Sequence, residues 1–113
     1  MDSEELEKEK VYISVKIIEH VPHAIVSKSI MKKMTGDVTV SSFDEGEKLE
    51  EKTSPFDIFV QIIEGAAEIM IKGKNHKLII GQGIVIPAHA THIFNAKQKF
   101  KMISTIIKSA YEG

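Results

Sequence analysis

Short segments in which apolar and polar side chains alternate recur along most of the chain, and this period of two constrains the fold most. In residues 11–17 every second position is Val or Ile, which is the spacing of a strand with one buried face. The same alternation begins again at residues 24, 37, 67 and 100. Turn signals containing glycine separate the segments at residues 35–37, 44–46, 64–65, 72–75 and 81–83. The pattern predicts an all-β sandwich or barrel.

The length and composition indicate one folded domain. A chain of 113 residues can bury one hydrophobic core but not two. Its 42% of hydrophobic residues and 27% of charged residues are typical of a globular protein. Residues 1–10 are polar, apart from Leu6 and Met1, and we expect a polar N-terminal tail or a frayed helix there. Residues 11–113 are expected to form a single barrel domain.

Charge and cysteine content exclude several function classes. The 15 basic and 16 acidic residues give a net charge of −1, so a basic footprint for nucleic acid is absent and no nucleic-acid partner is expected. The chain has no cysteine, which excludes disulfides and thiol catalysis. No apolar run approaches the roughly 20 residues of a membrane span, and the first residues do not resemble a secretory signal. We expect a cytoplasmic protein without a membrane partner.

The stretch GQGIVIPAHATHIFNA, residues 81–96, carries the most specific motif. Gly81, Pro87 and His92 match the second motif of the cupin superfamily, G-x5-P-x-G-x2-H-x3-N, although His89 and Ala96 stand where the motif has glycine and asparagine. The chain resembles small single-domain cupins over residues 38–107. This resemblance implies a cupin double-stranded β-helix, a jelly-roll-like barrel. It also implies that His92 points into the barrel.

The first cupin motif, G-x5-H-x-H-x3-4-E-x6-G, falls between Gly46 and Gly65 and has lost its metal ligands. The resemblance puts the two family histidines at Lys52 and Ser54 and the family glutamate at Ile58. Protonated lysine and isoleucine offer no lone pair to a cation, and serine is a weak ligand. Only His92 remains of four ligands, whereas a first-row metal usually needs at least three. No cofactor is therefore favoured.

A divalent transition metal remains the alternative cofactor if other residues supply ligands. In a regular strand, His89 and His92 would point to opposite faces, because they lie three residues apart. A turn at residues 88–90 would change this and turn His89 toward the barrel mouth. A register shift of one residue could also bring Glu50, Glu51 or Asp57 inward, but it would turn every neighbouring side chain as well.

The residues expected to face the barrel interior predict a largely apolar ligand pocket. Its members are His92, Lys52, Ile58, Val60, Ile62 and Phe94. An apolar cavity with few polar groups suits a small molecule, and Lys52 would favour an anionic one. Two alternatives stand beside this binding module. One is a metal-dependent dioxygenase, isomerase or decarboxylase, and the other is a structural homodimer whose barrel is filled.

The segment DIFVQIIE, residues 57–64, is apolar on both faces. Phe59 and Ile63 are expected to face outward, where apolar side chains need cover from another layer or subunit. A strand predicted over residues 11–18 could supply that cover on its own barrel or on a neighbouring chain. The sequence therefore predicts a homodimer.

Overall fold

The computed structural model describes residues 5–51 and 53–108 and confirms an all-β protein. Within these residues the one helical element is a 3-10 turn at Ser14–Lys16, and no helix is long and apolar enough to cross a membrane. Eight strands follow: β1 Ile25–Lys33, β2 Gly36–Phe43, β3 Lys48–Glu51, β4 Ile58–Ile71, β5 Lys74–Ile79, β6 Gly83–Ile86, β7 His92–Asn95 and β8 Phe100–Ile107.

Strand β4 joins two antiparallel sheets into one curled layer. Its first half pairs with β8 and β6, and β8 continues the sheet to β2 and β1. Its second half pairs with β5 and β7, and β7 continues to β3. The predicted hairpin at residues 72–75 connects β4 to β5. The predicted strands at residues 24, 37 and 100 correspond to β1, β2 and β8.

The turn predicted at residues 64–65 is wrong, because β4 runs through it. The register with β8 slips by one residue between Ile62 and Glu64, which marks a β-bulge, and Gly65 has a φ of 72°. A bulge accommodates a residue with positive φ inside a strand and bends the strand without ending it. The glycine signal therefore marks the bend at which β4 passes from one sheet to the other.

The strand predicted over residues 11–18 is also wrong. This segment contains the 3-10 turn, and Val11 and Ile13 are 94% and 61% exposed. The free edge of β1 contacts residues that precede this segment, because the Leu6 amide donates a hydrogen bond to the Ile30 carbonyl. Residues 15–19 lie over the outer face of the sheet. Ile18 is buried there, and side chains of the sheet donate hydrogen bonds to backbone carbonyls of this segment. Only the later residues of this segment cover the sheet, and they do so without joining it as a strand.

The hydrophobic core lies inside the curl, between the two sheets. Every second residue of β4 is buried from Ile58 to Ile62, and the alternation resumes from Ala67 to Ile71. The Phe43 and Phe100 rings stack with centroids 4.4 Å apart, and both side chains are fully buried. Phe94 joins them from the other sheet, 5.9 Å from Phe43. This aromatic cluster connects β2, β7 and β8.

Candidate ligand site

A turn before β7 sets the position of His92. The Ala90 amide donates to the Pro87 carbonyl, and the His89 amide donates to the Ser54 carbonyl at 2.6 Å. His89 has a φ of 67° and its side chain is exposed. The Ala88 amide donates to the Asp57 carboxylate at 2.8 Å, which fastens the turn to the residue before β4. The structure therefore has a turn at residues 88–90, and not the regular strand that the sequence analysis considered beside it.

His92 is buried at the start of β7, with 3% of its surface exposed. Its ring meets the Phe94 ring edge-on, with centroids 5.5 Å apart. Its Nδ1 lies 3.3 Å from the Ala90 carbonyl oxygen. A carbonyl only accepts hydrogen bonds, so in the neutral ring this contact assigns the proton to Nδ1 and leaves Nε2 as an acceptor. The described side chains place no hydrogen-bond partner at Nε2.

The other predicted pocket residues lie together in the core. Ile58, Val60, Ile62 and Phe94 are all at most 9% exposed and belong to one cluster with Phe43 and Phe100. Their burial shows that these four side chains face the barrel interior. These side chains pack against one another, and the cavity beside His92 lies outside this cluster. Lys52 is outside the described residues.

A cavity of about 350 Å³ opens at the end of the barrel where β7 begins. It is lined by Glu50, Met70, Gly73, Thr91, His92 and Ile93. Glu50, Ile93 and Met70 are neighbours in the strand register, and the described residues beside them are buried or partly buried against the core, so the three lie on the outer side of the sheet. The cavity is thus a groove at the sheet's end that reaches His92.

Sequence reasoning missed most of this groove. It placed the site inside the barrel and assigned Met70 and Ile93 no role. The sequence did contain a signal for them, because both are apolar side chains at outward positions of strands. Glu50 was considered only as a residue that could turn inward. In the structure it is exposed, and the Lys48 ammonium lies 3.5 Å from its carboxylate.

The residues at the family's ligand positions do not fit a metal centre. Ile58 is buried and has no donor atom. The Ser54 hydroxyl oxygen accepts a hydrogen bond from the Phe56 amide at 3.0 Å, and His89 is exposed on its turn. In the part of the chain that the structure describes, no three His, Asp or Glu side chains are grouped closely enough to hold a metal ion.

Comparison with solved structures connects this geometry to known proteins. The chain is similar to the conserved SPY1581 protein of unknown function from Streptococcus pyogenes, with 29% identity, coverage of 92% of this chain and 91% of that one, and a TM-score of 0.86. It is similar to a cupin superfamily protein from Desulfitobacterium hafniense, with 20% identity, coverage of 95% and 97%, and a TM-score of 0.83.

A third similar structure is a cupin 2 conserved barrel domain protein from Leptotrichia buccalis. It has 28% identity and a TM-score of 0.80, over 83% of this chain and 46% of that one. No protein-family model and no curated protein matches the chain. The structural matches confirm the predicted cupin barrel.

Proposed function

We propose that this chain, which has the cupin fold of solved structures it is similar to, binds a small molecule at the His92 end of its barrel. The observation that carries this proposal is the cavity of about 350 Å³ that reaches the buried His92. This volume lies within the range of small-molecule sites. The altered residues at the family's ligand positions support a binding role over metal-dependent catalysis.

The lining indicates the chemistry of the ligand. Met70 and Ile93 offer apolar contact, while Thr91 and Glu50 offer polar atoms at the rim. With its proton on Nδ1, His92 would accept a hydrogen bond at Nε2 from a hydroxyl, amine or amide of the ligand. We propose a small amphipathic molecule with such a donor. Lys52 lies outside the described residues, and the sequence prediction that its charge favours an anionic ligand stays a prediction.

Calorimetric titration tests this function with a panel of aliphatic and aromatic hydroxy acids and amino acids. We expect at least one member to bind, and His92→Ala to weaken that binding at least tenfold, because a buried hydrogen bond to the ligand is lost. The matched control is His76→Ala, which removes a histidine from β5, outside the groove. Unchanged affinity in His92→Ala would contradict the proposal, and no binding by any member would favour the filled barrel.

Metal analysis of tag-free protein separates the binding role from the enzyme alternative. The proposal expects less than stoichiometric Fe, Mn, Ni or Zn. Stoichiometric metal in the wild-type protein that disappears in His92→Ala would support a metal-dependent enzyme instead.

We also propose that the chain forms a homodimer through the outer face of β4 and β6. Phe59 and Val85 are opposite each other in the register and are 41% and 53% exposed. The Phe59 ring lies over Gly83, where an added Cβ would be 2.9 Å from the ring. Two adjacent apolar side chains on one face are suited to contact with an identical face.

Light scattering coupled to size exclusion tests the dimer. The wild-type protein is expected at twice the 12.6 kDa chain mass, and Phe59→Lys is expected at the mass of the single chain, since a buried lysine charge would be unpaired. Ile79→Lys places the same charge at an exposed apolar position on β5 and should leave the mass unchanged. A wild-type mass of one chain at micromolar concentration would contradict the dimer.

A further inference from the structure

A lysine on the outer face of the barrel is almost fully buried. Lys101 alternates along β8 with Phe100 and Met102, which face the core, so its side chain leaves the sheet on the opposite side. There the segment before β1 covers it, and the side chain is only 9% exposed. Its ammonium donates to the Val15 carbonyl at 2.6 Å and lies 3.4 Å from the Glu64 carboxylate.

The β-bulge in β4 brings Glu64 to this lysine. Before the bulge Ile62 is opposite Met102, so a regular register would place Ile63 opposite Lys101. The extra residue shifts the register by one, and Glu64 pairs with Lys101 instead. An apolar neighbour would have left a buried charge without a counterion, which is strongly unfavourable. The bulge thus supplies the carboxylate that the buried ammonium requires.

A histidine from the covering segment completes the cluster. His20 Nε2 lies 2.8 Å from the second carboxylate oxygen of Glu64, and the His20 side chain is 18% exposed. The neighbouring Glu19 carbonyl accepts a hydrogen bond from the buried Ser42 hydroxyl. The two titratable groups that contact Glu64 among the described residues are therefore His20 from the covering segment and Lys101 from β8, whereas Lys16 and Glu19 are exposed.

We propose that Glu64, His20 and Lys101 form an acid-sensitive clasp, which holds residues 13–20 on the outer face of the sheet and releases them when Glu64 is protonated. Both contacts of Glu64 require its negative charge for full strength. Buried Nδ1 of His20 has no hydrogen-bond partner among the described residues. Burying a polar atom without a hydrogen-bond partner is unfavourable, so this nitrogen lowers the stability of the closed clasp.

The lowered pKa of Glu64 determines how the clasp responds to acid. The hydrogen bond from His20, and then the charge and hydrogen bond of Lys101, lower the pKa of Glu64 below its ordinary value of 4.5 against the opposing effect of burial. A carboxyl whose pKa is lowered by folding stabilises the folded contact above its ordinary pKa and loses that contribution as the pH falls through the lowered value. The clasp is therefore closed at neutral pH, weakens as the pH falls below the ordinary value of 4.5, and opens as the pH falls through the lowered pKa of Glu64.

Amide hydrogen exchange by mass spectrometry, corrected for the intrinsic pH dependence, tests the clasp on the full chain. In the wild-type protein, peptides covering residues 13–20 should exchange at least tenfold faster below pH 4 than at pH 7, while peptides from β2 remain protected. Glu64→Gln should show the fast exchange at pH 7 already and lose most of the pH dependence. Glu68→Gln is the matched control, because it removes an ion-paired carboxylate from the same strand away from the segment.

Two outcomes would overturn the clasp. One is exchange of residues 13–20 in Glu64→Gln within twofold of the wild-type protein, with the same pH profile. The other comes from Lys101→Met, which keeps the side-chain length and tests the clasp independently if Glu64→Gln does not fold. It should move the opening transition to higher pH, because Glu64 loses one of the two groups that lower its pKa. An unchanged transition in a folded Lys101→Met protein would reject the proposal.

Discussion

Replacing Gly65 with alanine is expected to lower the free energy of unfolding by about 3 kcal/mol or more. An added Cβ would overlap the Lys99 carbonyl oxygen and lie 3.1 Å from the Phe100 Cα. These are backbone atoms of β8 and of the residue before it, so they cannot move aside as a side chain could. The φ of 72° adds strain, because residues with a Cβ rarely adopt it.

Urea denaturation of Gly65→Ala beside Gly46→Ala separates the contact from the conformation. Gly46 also has a positive φ, of 91°, but an added Cβ there would meet nothing within 4 Å. Gly46→Ala should therefore lose only about 1 kcal/mol, the cost of the left-handed conformation. Equal losses in the two variants would mean that the close approach of β4 and β8 at the bulge is not what makes Gly65 necessary.

Truncating Phe43 to alanine is the other change for which we expect a large loss, about 3–5 kcal/mol of unfolding free energy. Its ring is fully buried, stacks on Phe100 at 4.4 Å and also contacts Phe94 from the second sheet. The surrounding strands are hydrogen-bonded on both sides, so they cannot collapse to fill the space. Since domains of this size are stable by only about 5–15 kcal/mol, this loss is a large share of the total.

The measurement is again urea denaturation, with Phe43→Leu as the graded variant. Leucine keeps part of the apolar volume and should lose roughly 1–2 kcal/mol. Ile79→Ala is the control, because Ile79 is 59% exposed on β5 and should change stability by less than about 1 kcal/mol. A Phe43→Ala loss no larger than that of Ile79→Ala would contradict the central place of the aromatic cluster in the core.

Much of this fold could be predicted from the sequence because it depends on local signals. A period of two along β1, β2 and β8 indicates strands without knowledge of their partners, and the resemblance of Gly81, Pro87 and His92 to the second cupin motif implies the type of barrel. The segment at residues 11–18 shows the limit of this reasoning. Its alternation is as regular as that of β2, yet it pairs with no strand of the sheet, because pairing is decided by distant parts of the chain.

The candidate site was less predictable for the same reason. Burial of Ile58, Val60 and Phe94 follows from alternation, but whether buried residues leave a space between them depends on how their shapes fit. The groove beside His92 is built from β3, β4, β7 and the turn after β4, which only the register brings together. The partnership of Glu64 with Lys101 depends on a shift of one residue at the bulge, and composition carries no sign of it.

The passage of β4 through both sheets has a consequence for how the protein unfolds. Its fourteen residues hydrogen-bond to β5, β6, β7 and β8, so neither sheet can open without breaking the strand on which the other depends. We expect the barrel to unfold as one cooperative unit. Because the pairing of β2 with β8 closes a loop of about sixty residues, the chain should also fold slowly for its length.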